Sequence, residues 1–100
     1  MNNFGLTDKE LALIRDILDK HTEIKKALIF GSRATGNYKK GSDIDLVICG
    51  NFKHSPIPAL IGNFEESILP YFVDILEYSK IDNEKLKKKI DLEGKMIFER

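Results

Sequence analysis

The chain has 100 residues, of which 16 are basic, 16 are acidic and 42% are apolar. The cancelled charge argues against a general nucleic-acid binder, which carries a basic excess or stripe. No apolar run approaches the ~18 residues of a membrane span.

A chain of this size is expected to make one domain, residues 1–100, and to bury roughly 60–65% of the surface that its unfolded form exposes. The start, Met1-Asn2-Asn3-Phe4-Gly5, has neither the basic nor the apolar segment of a secretory leader, so the expected location is the cytoplasm. The single cysteine, Cys49, sits in an apolar run and reads as a buried small hydrophobe.

Thr7-Asp8-Lys9-Glu10 opens the first helix. Thr7 can accept from the Glu10 N–H while Glu10 reaches back, and Leu6 and Leu11 are spaced as a hydrophobic staple. Leu11, Ile14, Ile17 and Leu18 recur at helical spacing, with Leu13 widening the face. Lys20 and His21 are expected in the last turn, where positive charge suits the helix dipole. His21 has no companion ligand at helical spacing, so no metal role is read into it.

Residues 26–30 read as a short apolar strand ended by Gly31. Residues 32 to about 38 read as a short helix with Ser32 at or near its N-cap. A polar turn with Lys39 and Lys40 leads to a second strand over 43–49. Its alternation puts Asp43, Asp45, Val47 and Cys49 on one face and Ile44, Leu46 and Ile48 on the other.

Pro56 and Pro58 fit the start of a third helix. Its stripe is Ile57, Leu60, Ile61, Phe64 and Ile68, with Glu65 and Glu66 facing water and Pro70 as its stop. Residues 71–78 form a third strand in which Asp74 shares a face with Phe72 and Leu76. Asp82 reads as the cap of a fourth helix, with Ile81 and Leu86 as a staple. Lys85, Lys87, Lys88 and Lys89 read as its solvated face and Gly94 as its C-terminal cap. Met96-Ile97-Phe98 can add a last strand. This order places the chain in the α/β (α+β) class: a small mixed β-sheet packed with about four helices, on one face or on both.

Three carboxylates stand out. Asp43 and Asp45 point the same way on one strand, about 6–7 Å apart, although aspartate is a poor strand former. Asp74 repeats the oddity on the next strand. If the two strands are neighbours, three like charges converge, and a Mg²⁺ or Mn²⁺ ion would relieve their repulsion. Ahead of them, Gly31 lets a phosphate approach the backbone, and the N–H groups that follow favour an anion. Phosphate held by one half of residues 30–46 and metal held by the other is the arrangement that phosphoryl chemistry needs.

Gly31-Ser32, Gly36 and Ser42-Asp43-Ile44-Asp45-Leu46, in that spacing, resemble the signature of the DNA polymerase β-like nucleotidyltransferase superfamily, and the small size resembles its minimal (MNT) branch. The resemblance implies a polymerase β palm-like fold. It implies that Asp43, Asp45 and Asp74 are catalytic and hold Mg²⁺ or Mn²⁺, with Asp74 helping to deprotonate the attacking hydroxyl. Gly31, Ser32, Arg33, Thr35, Gly36 and Ser42 would bind the nucleotide. Many relatives carry an arginine where this chain has Thr35; Arg33, or Lys39 and Lys40, would have to supply that charge, and Arg33 can do so bidentately.

The implied reaction is transfer of a nucleoside monophosphate, AMP from ATP, to a hydroxyl. Minimal members pair with a helical HEPN protein encoded nearby, as antitoxin and toxin, and those with an active site add AMP to a tyrosine of the toxin. The resemblance therefore implies a hetero-oligomer with an HEPN-type partner. The small size leads to the same expectation, an acceptor supplied by another molecule. Two alternatives remain open: an antitoxin that only masks its partner, and a nucleotidyltransferase with a small-molecule acceptor.

Overall fold

The computed structural model describes residues 3–100. The absence of a leader was read partly from Met1 and Asn2, which lie outside the described residues. Helix α1 (Asp8–Asp19) begins where its capping box puts it. Thr7 accepts from the Glu10 N–H at 3.0 Å, and the Glu10 carboxylate accepts from the Thr7 N–H at 2.9 Å. Its buried face is Leu11, Ile14, Ile17 and Leu18. Lys20 is the C-cap and His21 lies just beyond, so the expected cationic last turn is absent. His21 Nε2 instead pairs with Asn63 Oδ1 at 2.8 Å, tying the end of α1 to the third helix.

Strand β1 (Ile24–Phe30) starts two residues before the expected position, because Ile24 is fully buried. Then come α2 (Ser32–Thr35), β2 (Ile44–Gly50), α3 (Ile57–Glu65), β3 (Val73–Glu77), a 3₁₀ turn (Tyr78–Lys80), α4 (Glu84–Glu93) and β4 (Lys95–Glu99). The four strands form one sheet in the order β3-β2-β1-β4. β1 runs antiparallel to β2 and β4, and β2 runs parallel to β3. A parallel pair needs a crossover, and α3 lies on that connection. The expected mixed sheet with four helices is the one found.

One main core lies beneath α1, α2 and α3. It takes Ile24, Ala27 and Ile29 from β1, Ile44, Leu46 and Ile48 from β2, Val73 and Ile75 from β3, and Ile97 from β4. The helices add α1's stripe, Ala34, Leu60 and Phe64. Val47 and Ile90 are buried outside this cluster; Val47 shares the opposite face of β2 with Asp45 and Cys49. Cys49 is half-buried rather than fully buried.

α3 and α4 also differ at an end from the sequence reading. α3 stops at Glu65, well before Pro70, because the Ser67 hydroxyl donates to Phe64 O at 2.6 Å and accepts from Leu69 N at 3.2 Å. That turn buries Leu69 and leaves Ile68 93% exposed. The cap of α4 is Asn83, not Asp82: its side chain accepts from Leu86 N at 3.1 Å. This shifts the staple positions off Ile81 and Leu86. No helix among the described residues is long and apolar enough to cross a membrane.

Candidate active site

The sheet register builds the acidic half of the site. Phe30 of β1 pairs with Asp45 of β2, and Asp45 pairs with Asp74 of β3. Asp45 and Asp74 are therefore neighbours on one face, with backbones about 4.8 Å apart. Asp43 stands one residue ahead of β2 and is exposed, as is Asp74; Asp45 is half-buried. Burial, then the charges of Asp74 and Asp43, push the Asp45 carboxyl above the ordinary carboxylate range.

An ionised Asp45 thus lies among like charges in a partly dry position, which suits a hard divalent cation. Among the described residues, no three His, Cys, Asp or Glu side chains already close into a metal-sized cluster. Register pairs Asp45 with Asp74, and the exposed Asp43 lies close enough for its charge to act on Asp45.

The other half of the site begins at Gly31. Its φ of 73° and ψ of −152° lie in a region open essentially to glycine alone. A Cβ there would also sit 2.6 Å from Asp45 Oδ2. The missing side chain thus lets the Gly31-Ser32 turn and the acidic strand touch. The following helix is one turn, Ser32–Thr35, where a longer one to about residue 38 was expected. Its N-cap is Gly31, and Ser32, expected at or near the cap, is the first residue of the turn. The Ser32 and Arg33 N–H groups come at the start of the turn, where a helix supplies no acceptor.

Gly36 ends the turn in the left-handed conformation, its N–H donating to Ser32 O at 3.0 Å. The Thr35 side chain is exposed at the end of the turn; its hydroxyl makes long contacts, 3.4 Å, to the Gly31 and Ser32 carbonyls and accepts from Asn37 Nδ2 at 3.2 Å. Ser42 closes the lysine turn, its hydroxyl accepting from Lys39 N at 2.8 Å and its own N–H donating to Lys39 O at 3.0 Å. Gly41, at φ 85°, takes the position of that turn that demands positive φ.

Arg33 is placed differently from the phosphate-holding role expected of it. Its side chain is 1% exposed. Nε and Nη2 donate to Ser42 O at 3.1 and 2.7 Å, and Nη1 donates to Phe4 O at 2.9 Å. The guanidinium lies over Tyr71 at 4.5 Å and over Tyr38 at 5.5 Å. Its hydrogen-bonding capacity is turned into the protein. The exposed Lys39 and Lys40 remain the nearby cations on the surface.

Sequence reasoning did not single out Phe30, Tyr38, Tyr71 or Phe4. Phe30 and Tyr71 flank the motif strands, so aromatic residues at those edges were an available signal. Phe4 contributes a backbone carbonyl, which no side-chain pattern reveals.

The family model described as polymerase beta, nucleotidyltransferase, matches residues 13–100. The chain belongs to this family. It is 34% identical over 87 residues to the "Probable protein adenylyltransferase MntA" of Haemophilus influenzae, covering 79% of this chain and 74% of that protein. Two solved structures share the nucleotidyltransferase fold. One is a chain of a toxin-antitoxin crystal structure with AMP-PNP, with a TM-score of 0.71 and 20% identity over 95% of this chain and 75% of that chain. The other is a chain of a complex of tri-AMPylated Shewanella oneidensis HEPN toxin with MNT antitoxin, with a TM-score of 0.70 and 18% identity over 95% and 74%. At these identities the likeness is one of fold.

Proposed function

We propose that this nucleotidyltransferase moves AMP from ATP to a tyrosine hydroxyl of a helical HEPN-type partner, and so acts as the antitoxin of a toxin–antitoxin pair. The observation that carries the reading is the in-register row of Asp45 and Asp74, with Asp43 two residues away and Gly31 directly against Asp45. The likeness to a named protein adenylyltransferase supports the choice of reaction.

On this reading Gly31 gives the triphosphate access to the backbone. The Ser32 hydroxyl and the first-turn N–H groups hold its oxygens, with Thr35, Gly36 and Ser42 shaping the turn around them. Arg33 supports that turn from inside. Asp43, Asp45 and Asp74 would hold Mg²⁺ or Mn²⁺, which when bound neutralises phosphate charge and favours the ionised hydroxyl. The acceptor oxygen attacks the α-phosphorus, the bond to the bridging α–β oxygen breaks and pyrophosphate leaves; Asp74 takes the hydroxyl proton.

A partner also has apolar surface to cover near the site. Phe72 is 68% exposed, two residues from Asp74, and lines one depression with Ile61 and Tyr71. Ile68 lines a neighbouring one with Leu13 and Leu69. Contiguous exposed apolar surface of this kind marks interaction sites.

The test is to incubate the protein with ATP, Mg²⁺ and the HEPN-type protein encoded beside it, and to map adducts by mass spectrometry. A gain of AMP on a tyrosine of the partner, lost in Asp43→Asn/Asp45→Asn, is the expected result. No gain, with neutralisation kept in that double variant, would replace the reading by simple masking. AMP on a small hydroxyl compound without the partner would replace it by small-molecule transfer.

A further inference from the structure

We propose that Arg33 is a positioning residue that assembles the site before nucleotide arrives. It does so by fixing the Ser42–Asp43 peptide and the lead-in to β3 against the Gly31-Ser32 turn. The proposal rests on the nucleotidyl-transfer reading above for what the assembled site does, but not for whether the assembly exists.

A guanidinium that is 1% exposed must have its charge satisfied inside the protein, since burying it without partners is costly. Here the partners are neutral: two backbone carbonyls and two tyrosine rings. What distinguishes them is where they lie in the chain. Arg33 itself follows Gly31 and Ser32. The carbonyl that takes both Nε and Nη2 belongs to Ser42, and its peptide bond leads directly to Asp43. A fork of two donors on one carbonyl fixes the position of that peptide more firmly than a single donor does.

The ring stacked at 4.5 Å is Tyr71, three residues before Asp74. The remaining contact, to Phe4 O, brings in the segment ahead of α1. That segment packs closely on Tyr38: a Cβ on Gly5 would meet the ring at 2.3 Å. One side chain therefore touches the phosphate-side turn, the start of the acidic strand and the lead-in to the third aspartate. Lysine cannot replace it, because an ammonium offers neither the planar fork nor a flat face for stacking.

The test compares the full-length wild type with Arg33→Lys by amide hydrogen exchange, and by transfer rate as a function of Mg²⁺. Exchange in Arg33→Lys is expected to quicken about tenfold or more at residues 40–45, while α1 and β4 stay unchanged, as for a local opening. The Mg²⁺ needed for half-maximal rate is expected to rise about tenfold, with much of the rate restored at high Mg²⁺.

Equal quickening in α1, β4 and residues 40–45 would make Arg33 an ordinary core residue and overturn the proposal, as would unchanged exchange at 40–45. A rate lowered equally at every Mg²⁺ concentration would overturn the site-assembling role. If Arg33→Lys does not fold, Tyr71→Leu, which removes the ring over which Arg33 lies and keeps an apolar side chain against the core, is judged by the same comparison. If the wild type transfers no nucleotide at all, the functional reading fails, and the exchange data alone still decide whether the clamp exists.

Discussion

Asp45 Oδ2 lies so close to Gly31 that a methyl group on the glycine would sit 2.6 Å from it. The Gly31-Ser32 turn and the acidic strand are therefore in direct contact, with no side chain between them. Gly31→Ala meets two obstacles, the displaced carboxylate and a φ of 73° that alanine resists. It is expected to lower stability by about 1–3 kcal/mol. Transfer is expected to fall about 100-fold, because small misplacements of reacting groups are that costly. Denaturant unfolding and steady-state rates check the two effects separately.

Asp45→Asn should inactivate the protein while making it more stable at neutral pH. Burial and the two neighbouring aspartates raise the Asp45 carboxyl above its ordinary value of 3.8. The folded state then holds this proton more tightly than the unfolded state, so stability falls as pH rises from about 3.8 through the raised value and stays lower above it. Asn removes that cost. Its midpoint of thermal unfolding should exceed the wild type's at pH 7, and the difference should disappear as pH falls below the ordinary value of 3.8. Added Mg²⁺ should stabilise the wild type and leave Asp45→Asn unmoved.

Thr35 stands exposed at the end of the one-turn helix. Thr35→Arg adds a cation beside the Gly31-Ser32 turn and should lower the KM for ATP by up to about tenfold, the scale of one hydrogen bond to a charged group. Titration with non-hydrolysable ATP analogue measures the same gain as binding.

Gly62 lies inside α3 with open space around the position of a Cβ. Gly62→Ala should stabilise the protein by about 0.5–1 kcal/mol through helix propensity. Because no packing neighbour lies within 4 Å of that position, the added methyl group disturbs no neighbour and the transfer rate should not change.

Much of this architecture was legible because local chemistry and global packing agree. The Thr7–Glu10 capping box and the alternation of β2 are both found, and β3 lies beside β2 with Asp74 paired to Asp45. The misreadings fell where two neighbours were equally suited. Asp82 and Asn83 are both good N-caps, and propensity cannot choose between adjacent residues. Ile68 continues the apolar stripe of α3, but the Ser67 turn hands its place in the core to Leu69.

Arg33 was misjudged for a different reason. Arginine normally faces water, and only the folded chain brings the Ser42 and Phe4 carbonyls and two tyrosines around it. The pairing of Asp45 with Asp74 could be anticipated; the contact of Asp45 with Gly31 needed the register of β1 on β2.

The most direct measurement of the central claim is the intact mass of the HEPN-type partner after incubation with this protein, ATP and Mg²⁺, followed by mapping of the modified residue. The account predicts addition of AMP to a tyrosine of the partner by the wild type and none by Asp43→Asn/Asp45→Asn. An unmodified partner that is still neutralised, or equal modification by the double variant, would contradict it.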